Sequence, residues 1–223
     1  MNHYNYYLFD YDGTICNTFP TIHHAMSQTF KISGITPPDE SEMLTAVSKG
    51  GALHDTIKYL HPQASQLNPD DVETIAKIYR EQYKACEAQL TVLFNGAATV
   101  FNKLKDQGKT IIVLSNKGMA AVERSLKSLE LFDHTDLIIA EGAFPELGLK
   151  SKPDPMIYQT LISPKYNIKN NNEVLMIGDT HTDILFANNC GIASCWAAYG
   201  YGQKADCEVL NPTYTIQEIS AII

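Results

Sequence analysis

The sequence predicts an α/β protein with a parallel-sheet core and an inserted α-helical cap domain. From about residue 96 onward, short apolar runs alternate with helical patterns, the order that produces a parallel sheet with helices on both faces. Residues 16–92 instead carry helical periodicity without a clear strand pattern, although a buried strand precedes them. We therefore expect a core at 1–15 and 93–223 and a helical cap at 16–92.

The first predicted element is the buried strand YYLF at residues 6–9, which stops at Asp10. Three more apolar runs predict the remaining strands of the core. They are TIIVLS at 110–115, DLIIAE at 136–141 and EVLMIGD at 173–179. Because ligands gather at the carboxyl ends of parallel strands, polar residues at these ends are candidates for a site.

Helical patterns fill the intervals between the strands and most of the insertion. In the core they are GAATVFNKLKDQG, MAAVERSLKSLEL, the segment opened by Asp154 and Pro155, and HTDILFANNCG. In the insertion, TFPTIHHAMSQTFKISG predicts one helix, and NPDDVETIAKIYREQYKACEAQL predicts a long one. TPPDES and LHPQASQLNP are predicted as loops.

Composition and charge limit the classes of function. The 223 residues are 44% apolar and 19% charged, which is typical of a globular protein with a sizeable core. A net charge of −8 argues against nucleic acids and anionic membranes as partners. The N-terminus lacks a signal-peptide pattern and the apolar runs are too short to span a bilayer, so we expect a cytoplasmic protein.

The cysteines carry no sign of a metal site or a disulfide framework. Their number is odd, and neither a CxxC pair nor a Cys/His ligand spacing occurs. We expect free buried thiols at Cys16, Cys86, Cys190, Cys195 and Cys207.

The stretch DYDGT places two carboxylates at the end of the first strand. Because strand side chains repeat with period two, Asp10 and Asp12 point the same way and face one cleft. Two close like charges repel, and a bound divalent cation removes this repulsion. Oxygen ligands suit Mg²⁺, so the pair predicts a magnesium site.

Three further stretches place polar groups at strand ends or just before a helix. Ser115 and Asn116 follow a strand and suit an anion, since hydroxyl and N–H groups at a helix start bind anions. Lys152 stands before a proline and supplies a point charge for a phosphoryl group. Asp179 ends a strand, and Asp183 follows one helical turn later. Each stretch alone is typical of a turn or a helix cap; all four in this order favour one site.

Together the four stretches resemble the haloacid-dehalogenase-like hydrolase superfamily, which consists mostly of Mg²⁺-dependent phosphatases with a Rossmann-like core. DYDGT resembles its first motif, Ser115 the second, Lys152 the third and GDTHTD the fourth. FNGAATVFNKLKDQGKTIIVLSNK and ANNCGIASCWAAYGYG are similar to the phosphoglycolate-phosphatase-like branch. The FNG at 94–96 departs from that branch, which usually has a proline before the glycine.

The resemblance implies a role for each residue of the site. Asp10 would be the nucleophile, and Asp12 the proton carrier. Mg²⁺ would be bound by Asp10, the main-chain oxygen of Asp12 and Asp179, with Asp183 orienting them or binding through water. The phosphoryl oxygens would be held by Ser115, Asn116 and Lys152, with Gly13 turning the chain and Thr14 orienting Asp12.

These residues predict an Mg²⁺-dependent phosphatase that acts on a small phosphorylated metabolite, most nearly a phosphoglycolate-like monoester. A sugar-phosphate mutase, a nucleotidase or pyrophosphatase of the same superfamily, and a phospho-acceptor signalling domain remain alternatives. Lys49 in the cap is a candidate for a substrate carboxylate, and His181 has an open role near the entrance. The sequence predicts no oligomeric state.

Overall fold

The structure, a computed structural model, describes Met1 and residues 3–223. Its main sheet has six strands in the order β5-β4-β1-β6-β7-β8, and every neighbouring pair is parallel. These strands are β1 (Tyr6–Phe9), β4 (Thr110–Gly118), β5 (Leu137–Glu141), β6 (Val174–Gly178), β7 (Ala193–Ala197) and β8 (Tyr214–Ile216). A separate antiparallel pair joins β2 (Cys16–Asn17) to β3 (Val92–Leu93). The predicted α/β fold class is confirmed.

The helices lie in two groups, one in the insertion and one around the main sheet. The insertion holds α1 (Phe19–Ile32), α2 (Glu40–Val47), α3 (Leu53–Leu60) and α4 (Pro69–Leu90). The sheet is covered by α5 (Ala97–Asp106), α6 (Met119–Ser128), α7 (Ser163–Tyr166), α8 (His181–Cys190) and α9 (Lys204–Glu208). Short 3₁₀ turns occur at Ala64–Gln66, Phe132–His134, Pro145–Leu147, Asn171–Glu173 and Ile219–Ile222, and a π-helix at Tyr158–Ile162 leads into α7.

Strand β1 lies at the centre of the sheet, between β4 and β6, and its side chains alternate between two cores. Phe9 faces the core that α5 and α6 cover, where it contacts Phe101 at 5.0 Å between ring centroids. Leu8 faces the opposite core together with Phe186 of α8. Because both faces are covered, the strand consists of apolar residues in sequence rather than an alternating pattern.

Several core elements differ from their predicted bounds. β4 continues to Gly118 instead of ending at 115, with a register shift between Leu114 and Gly118. β7 and β8 were not predicted, because ASCWA and YTI are short and mix small, polar and apolar residues. The helix expected from Asp154 becomes helical at 156, where the Asp154 carboxylate accepts a hydrogen bond from the Met156 N–H at 2.9 Å.

The inserted segment has its own apolar cluster between α1 and α4. Met26 and Phe30 of α1 pack with Val72 and Ala76 of α4, and all four are buried. The two predicted helices are present here, but α2 and α3 were missed. α2 begins at a capping box in which the Asp39 carboxylate accepts from the Glu42 N–H at 2.8 Å. This helix is short and lacks a long apolar stripe, so only its cap residues could have predicted it from the sequence.

All five cysteines are free and buried, as the sequence predicts. Within the described part of the chain, no helix is both long and apolar enough to cross a bilayer.

Replacing Phe101 with alanine is expected to lower the free energy of unfolding by about 3–5 kcal/mol, because a fully buried aromatic ring would leave a cavity beside Phe9. Urea unfolding followed by circular dichroism measures the change. Val209→Ala is the control, since this side chain is 71% exposed and should alter stability by less than about 0.5 kcal/mol. Equal effects of the two substitutions would contradict the assignment of Phe101 to the core.

Candidate active site

The sheet topology brings the predicted site residues to one edge. β1 pairs with β4 on one side and β6 on the other, so Asp10 and Asp179 follow the ends of their strands beside Ser115 of β4. The Asp10 N–H donates to the Ile177 carbonyl at 2.8 Å and continues the ladder to the end of β1. Above this edge, between the sheet and the inserted helices, lies a cavity of about 730 Å³.

Lys152 is the charged centre of the site. Its Nζ lies 2.8 Å from an oxygen of Asp10 and 2.6 Å from an oxygen of Asp183, and its side chain is almost completely buried. Burial alone would lower the pKa of Lys152, but the two carboxylates outweigh it and hold the pKa above its usual range. Lys152 therefore stays an ammonium that joins the end of β1 to the start of α8.

Three carboxylates converge beside this ammonium. Asp10, Asp179 and Asp183 each offer an oxygen, and these oxygens lie within 4.8 Å of one another. Burial raises the pKa of Asp10 to about 7 despite the opposing effect of Lys152, and burial also raises the pKa of Asp179 well above its usual range. One ammonium cannot neutralise three buried carboxylates, so this all-oxygen cluster fits a hard divalent cation such as Mg²⁺.

Asp179 is fixed by its neighbours and has no exposed surface. Thr14 Oγ1 donates to one carboxylate oxygen at 3.2 Å, and the Tyr201 N–H donates to the other at 2.7 Å. Gly13 adopts a φ of +75°, and a Cβ there would overlap the Asp179 carboxylate. The expectation that Thr14 orients Asp12 is wrong: its hydroxyl contacts Asp179, because the turn at Gly13 carries it toward β6.

Asp183 has two contacts of different kinds. One oxygen binds Lys152, and the other accepts from the N–H and the hydroxyl of Thr180 at 3.1 and 3.0 Å. This is the capping box of α8, with Thr180 as N-cap. The carboxylate therefore caps the helix and also belongs to the charged cluster, so the capping role of GDTHTD does not exclude a role in the site.

Asp12 points into the same cavity but is paired with a residue that the sequence interpretation missed. Lys117 Nζ lies 3.0 and 3.3 Å from the two oxygens of Asp12, and 4.1 Å from the ring centroid of Tyr83 in α4. Burial alone would lower the pKa of Lys117, yet Asp12 and the tyrosines raise it well above its usual range. The sequence does contain a sign of this pairing, because Lys117 directly follows Ser115 and Asn116 in the second motif.

Asn116 lines the cavity, but its side-chain amide binds main-chain groups of the protein. Its amide nitrogen donates to the carbonyls of Lys152 at 3.0 Å and Gly50 at 2.9 Å, and its amide oxygen accepts from the Lys152 N–H at 2.9 Å. The side-chain amide therefore supports the backbone of Lys152. The expectation that Asn116 helps to hold phosphoryl oxygens stays a prediction, and it falls to the main-chain N–H of this residue. Ser115 lines the cavity, and its hydroxyl accepts from the Lys117 N–H at 3.3 Å.

The inserted helices form the opposite wall of the cavity, with Ile22, Leu53, Tyr79 and Tyr83 among the lining residues. Lys49 is not one of them. Its exposed side chain lies over the Tyr59 ring at 4.7 Å, so the suggested contact with a substrate carboxylate is not supported.

Two further residues had no assigned role: His181, which lies within the fourth motif, and Tyr201. His181 opens α8 outside the cavity lining, and its buried Nδ1 has no hydrogen-bond partner among the described residues. Tyr201, which was not singled out, connects the site to the insertion: its hydroxyl accepts from the N–H groups of Thr18 and Phe19 at 2.7 and 2.9 Å.

The sequence is similar to known hydrolases over nearly its whole length. The family model of the haloacid dehalogenase-like hydrolases matches residues 7–197. Among similar proteins, the phosphoglycolate phosphatase of Vibrio parahaemolyticus is 25% identical over 217 residues, which are 96% of this chain and 92% of that relative. The pyrophosphatase PpaX of Bacillus mycoides is also 25% identical, over 98% of this chain and 95% of its own.

Solved structures share the fold. A predicted phosphoglycolate phosphatase from Haemophilus somnus superposes with a TM-score of 0.86 at 20% identity, covering 100% of this chain and 97% of its own. CbbY from Rhodobacter sphaeroides, solved in complex with phosphate, gives a TM-score of 0.82 at 19% identity, covering 98% and 96%.

The metal-free protein is expected to lose stability as the pH rises from about 4 to about 7. Because the folded pKa values of Asp10 and Asp179 lie above those of the unfolded chain, the folded state binds more protons. This stability is fully present below the ordinary carboxyl pKa of about 4 and is lost as the pH rises through about 7. Urea unfolding in EDTA at several pH values measures the slope.

Asp179→Asn should flatten this slope, because an amide does not titrate. Asp106→Asn, at an exposed position, is the matched control and should leave the slope as it is in the original chain. If Asp179→Asn and Asp106→Asn gave the same slope, the buried carboxylate would not be its source.

Proposed function

The chain belongs to the haloacid dehalogenase-like hydrolase family, and we propose that it is an Mg²⁺-dependent phosphatase that hydrolyses a small phosphate monoester. One observation carries the proposal: a buried ammonium, Lys152, touches Asp10 and Asp183, and Asp179 adds a third carboxylate within 4.8 Å. This arrangement combines a nucleophile, a cation for phosphoryl oxygens and an oxygen-ligand set at the bottom of one cavity.

In the first step, a carboxylate oxygen of Asp10 attacks phosphorus in line with the ester oxygen. A bond forms between Asp10 and phosphorus, and the bond from phosphorus to the ester oxygen breaks. Asp12, which enters this step as a carboxylic acid, gives its proton to the departing oxygen, so an alcohol leaves and Asp12 becomes a carboxylate. General acid help of this kind contributes roughly 10²–10⁴ in rate.

In the second step, water attacks the aspartyl-phosphate. Asp12 takes the proton from this water, the bond between Asp10 and phosphorus breaks, and inorganic phosphate leaves. Asp10 is then a carboxylate again and Asp12 a carboxylic acid, as both were at the start. The two strand-end residues therefore perform different tasks, although they face the same cavity.

The remaining groups hold charge in place. Lys152 and the Ser115 hydroxyl line the cavity beside Asp10 and are proposed to hold the phosphoryl oxygens. Asp10, Asp179 and the main-chain oxygen of Asp12 would hold Mg²⁺, with Asp183 orienting the set. The cation, when bound, neutralises negative charge on the phosphoryl group and on the carboxylates.

Residues 16–92 are proposed to be a cap domain over a core of 1–15 and 93–223. The insertion has a separate apolar cluster and supplies one wall of the cavity, which supports this division. The cap would then contact the leaving group, while the core performs the phosphoryl chemistry. Substrate choice would depend on the cap and on the core residues that face it.

We propose a phosphoglycolate-like monoester as substrate, because phosphoglycolate phosphatases align with 96% of the chain. Pyrophosphate is the second candidate, since the Bacillus mycoides pyrophosphatase is equally identical and aligns with 98% of the chain. The two candidates share one property: each carries negative charge on the leaving group as well as on the phosphoryl group.

Asp10→Asn is expected to reduce phosphate release from a generic monoester by at least about 10³-fold, because an amide is a poor nucleophile. The measurement is phosphate release with p-nitrophenyl phosphate, with circular dichroism to verify the fold. Asp106→Asn is the exposed control and should keep full activity. A fully active Asp10→Asn protein would refute the nucleophile assignment.

Chelation with EDTA should stop turnover, and added Mg²⁺ should restore it. Isothermal calorimetry should show Mg²⁺ binding to the metal-free protein, weakened in Asp179→Asn because one of three clustered carboxylates becomes an amide. Turnover that persists in EDTA, or Mg²⁺ binding that is unchanged in Asp179→Asn, would contradict the proposed metal site.

A further inference from the structure

Lys117 is a buried cation whose position no part of the proposed mechanism explains. Its side chain is 11% exposed and lines the cavity. Its Nζ binds both oxygens of Asp12 and lies over the Tyr83 ring at 4.1 Å, with the Tyr11 ring 5.9 Å away. These contacts from core and insertion hold the ammonium at one place, so little freedom remains to be lost when a ligand binds.

Apart from Lys152, the other cations along the cavity have partners outside the proposed chemistry or none. Arg80 pairs with Glu73 at 2.8 Å, and Arg124 pairs with Glu87 at 2.6 Å, both carboxylates outside the proposed chemistry. Lys84 is exposed and forms no ion pair within the described part of the chain. Lys117 differs from all of these because its one carboxylate partner, Asp12, is also the proposed proton carrier.

This shared partner has a geometric consequence. An ester oxygen can only accept a hydrogen bond, so it binds Asp12 when Asp12 is protonated, and the oxygen that carries this proton lies 3.0 or 3.3 Å from Lys117 Nζ. The ester oxygen would then lie within about 6 Å of the ammonium, since the new hydrogen bond adds about 2.8 Å. Atoms one or two bonds further along the leaving group come within direct reach of Lys117.

An anionic group on the leaving group, within reach of Lys117 Nζ, would neutralise the positive charge of this ammonium. When Asp12 carries the proton that it gives to the ester oxygen, the Lys117 ammonium loses its anionic partner, and an unpaired buried charge is costly. An anionic group of the substrate restores the pairing in a largely water-excluded site. The net charge of −8 opposes the approach of a substrate with two negative groups, and a local cation offsets this repulsion.

We propose that Lys117 binds a second anionic group of the substrate, carried on the leaving group one or two bonds beyond the ester oxygen. The inference rests on the proposed phosphatase function and narrows it to phosphates whose leaving group is itself a carboxylate or a phosphate. Tyr83 keeps the ammonium in position from the side of the insertion.

The test compares two esters of the same length, 2-phosphoglycolate and 2-hydroxyethyl phosphate, which differ in having a carboxylate or a hydroxymethyl group. The original chain should prefer the anionic ester in kcat/KM by roughly 10- to 100-fold, the range of a hydrogen bond to a charged group. Lys117→Gln should bring this ratio near one, and Lys117→Arg should retain most of it. Inorganic pyrophosphate as a third substrate distinguishes a phosphate anion from a carboxylate.

Lys84→Gln is the matched control, because this second lysine lines the same cavity without an ion pair. It should keep the preference. A preference that survives in Lys117→Gln, or that disappears in Lys84→Gln, would overturn the assignment of Lys117.

A measurement without turnover covers the case in which Lys117→Gln is inactive. Calorimetry would compare 3-phosphonopropionate with 3-hydroxypropylphosphonate, in which a methylene replaces the ester oxygen. The original chain should bind the carboxylate compound more tightly, and Lys117→Gln should bind both equally; a retained difference counts against the proposal.

Equal hydrolysis of both esters by the original chain refutes only the role of Lys117. Hydrolysis of none of the substrates refutes the phosphatase proposal as well.

Discussion

The ion pairs of Lys152 with Asp10 and Asp183 are the interaction on which the rest of the site depends. One ammonium joins the end of β1, the segment after β5 and the first turn of α8, three parts of the chain that are far apart in sequence. Buried charges of this kind are stable only when each has a close partner. The strand order β4-β1-β6 brings the partners close together, because Asp10 and Asp179 follow the ends of two neighbouring strands.

The surroundings of this charged cluster are built to keep it in place. Asn116 uses both ends of its amide to hold the Lys152 backbone, and Thr180 fixes the Asp183 carboxylate through the helix cap. Gly13 leaves room for Asp179 where any side chain would collide. These contacts offset the repulsion among the clustered carboxylates. Such a cluster lowers the stability of the fold, but a phosphoryl-transfer site needs it.

The sequence predicted the parts of the site that local rules determine. β1, β4, β5 and β6 follow from apolar runs, and Asp10, Asp12 and Asp179 follow from their place at strand ends. β7 and β8 escaped prediction because their burial depends on neighbours that no short window contains. The contacts of Thr14, Asn116 and Lys117 were missed or misassigned for a related reason. Each depends on where a side chain points across more than thirty residues of chain.

The paired short strands β2 and β3 have a consequence for how such a protein can change over time. The chain leaves the core at Cys16–Asn17 and returns at Val92–Leu93, and these two crossings lie side by side as an antiparallel pair. Neighbouring strands are only about 5 Å apart. The two ends of the insertion therefore lie next to each other where they join the core. Another folded unit with adjacent termini could be joined at the same two positions, and it would have to replace the contacts that Gly50 and Tyr83 make with the core. The same reaction centre can therefore be coupled to unrelated recognition surfaces by exchange of a single segment.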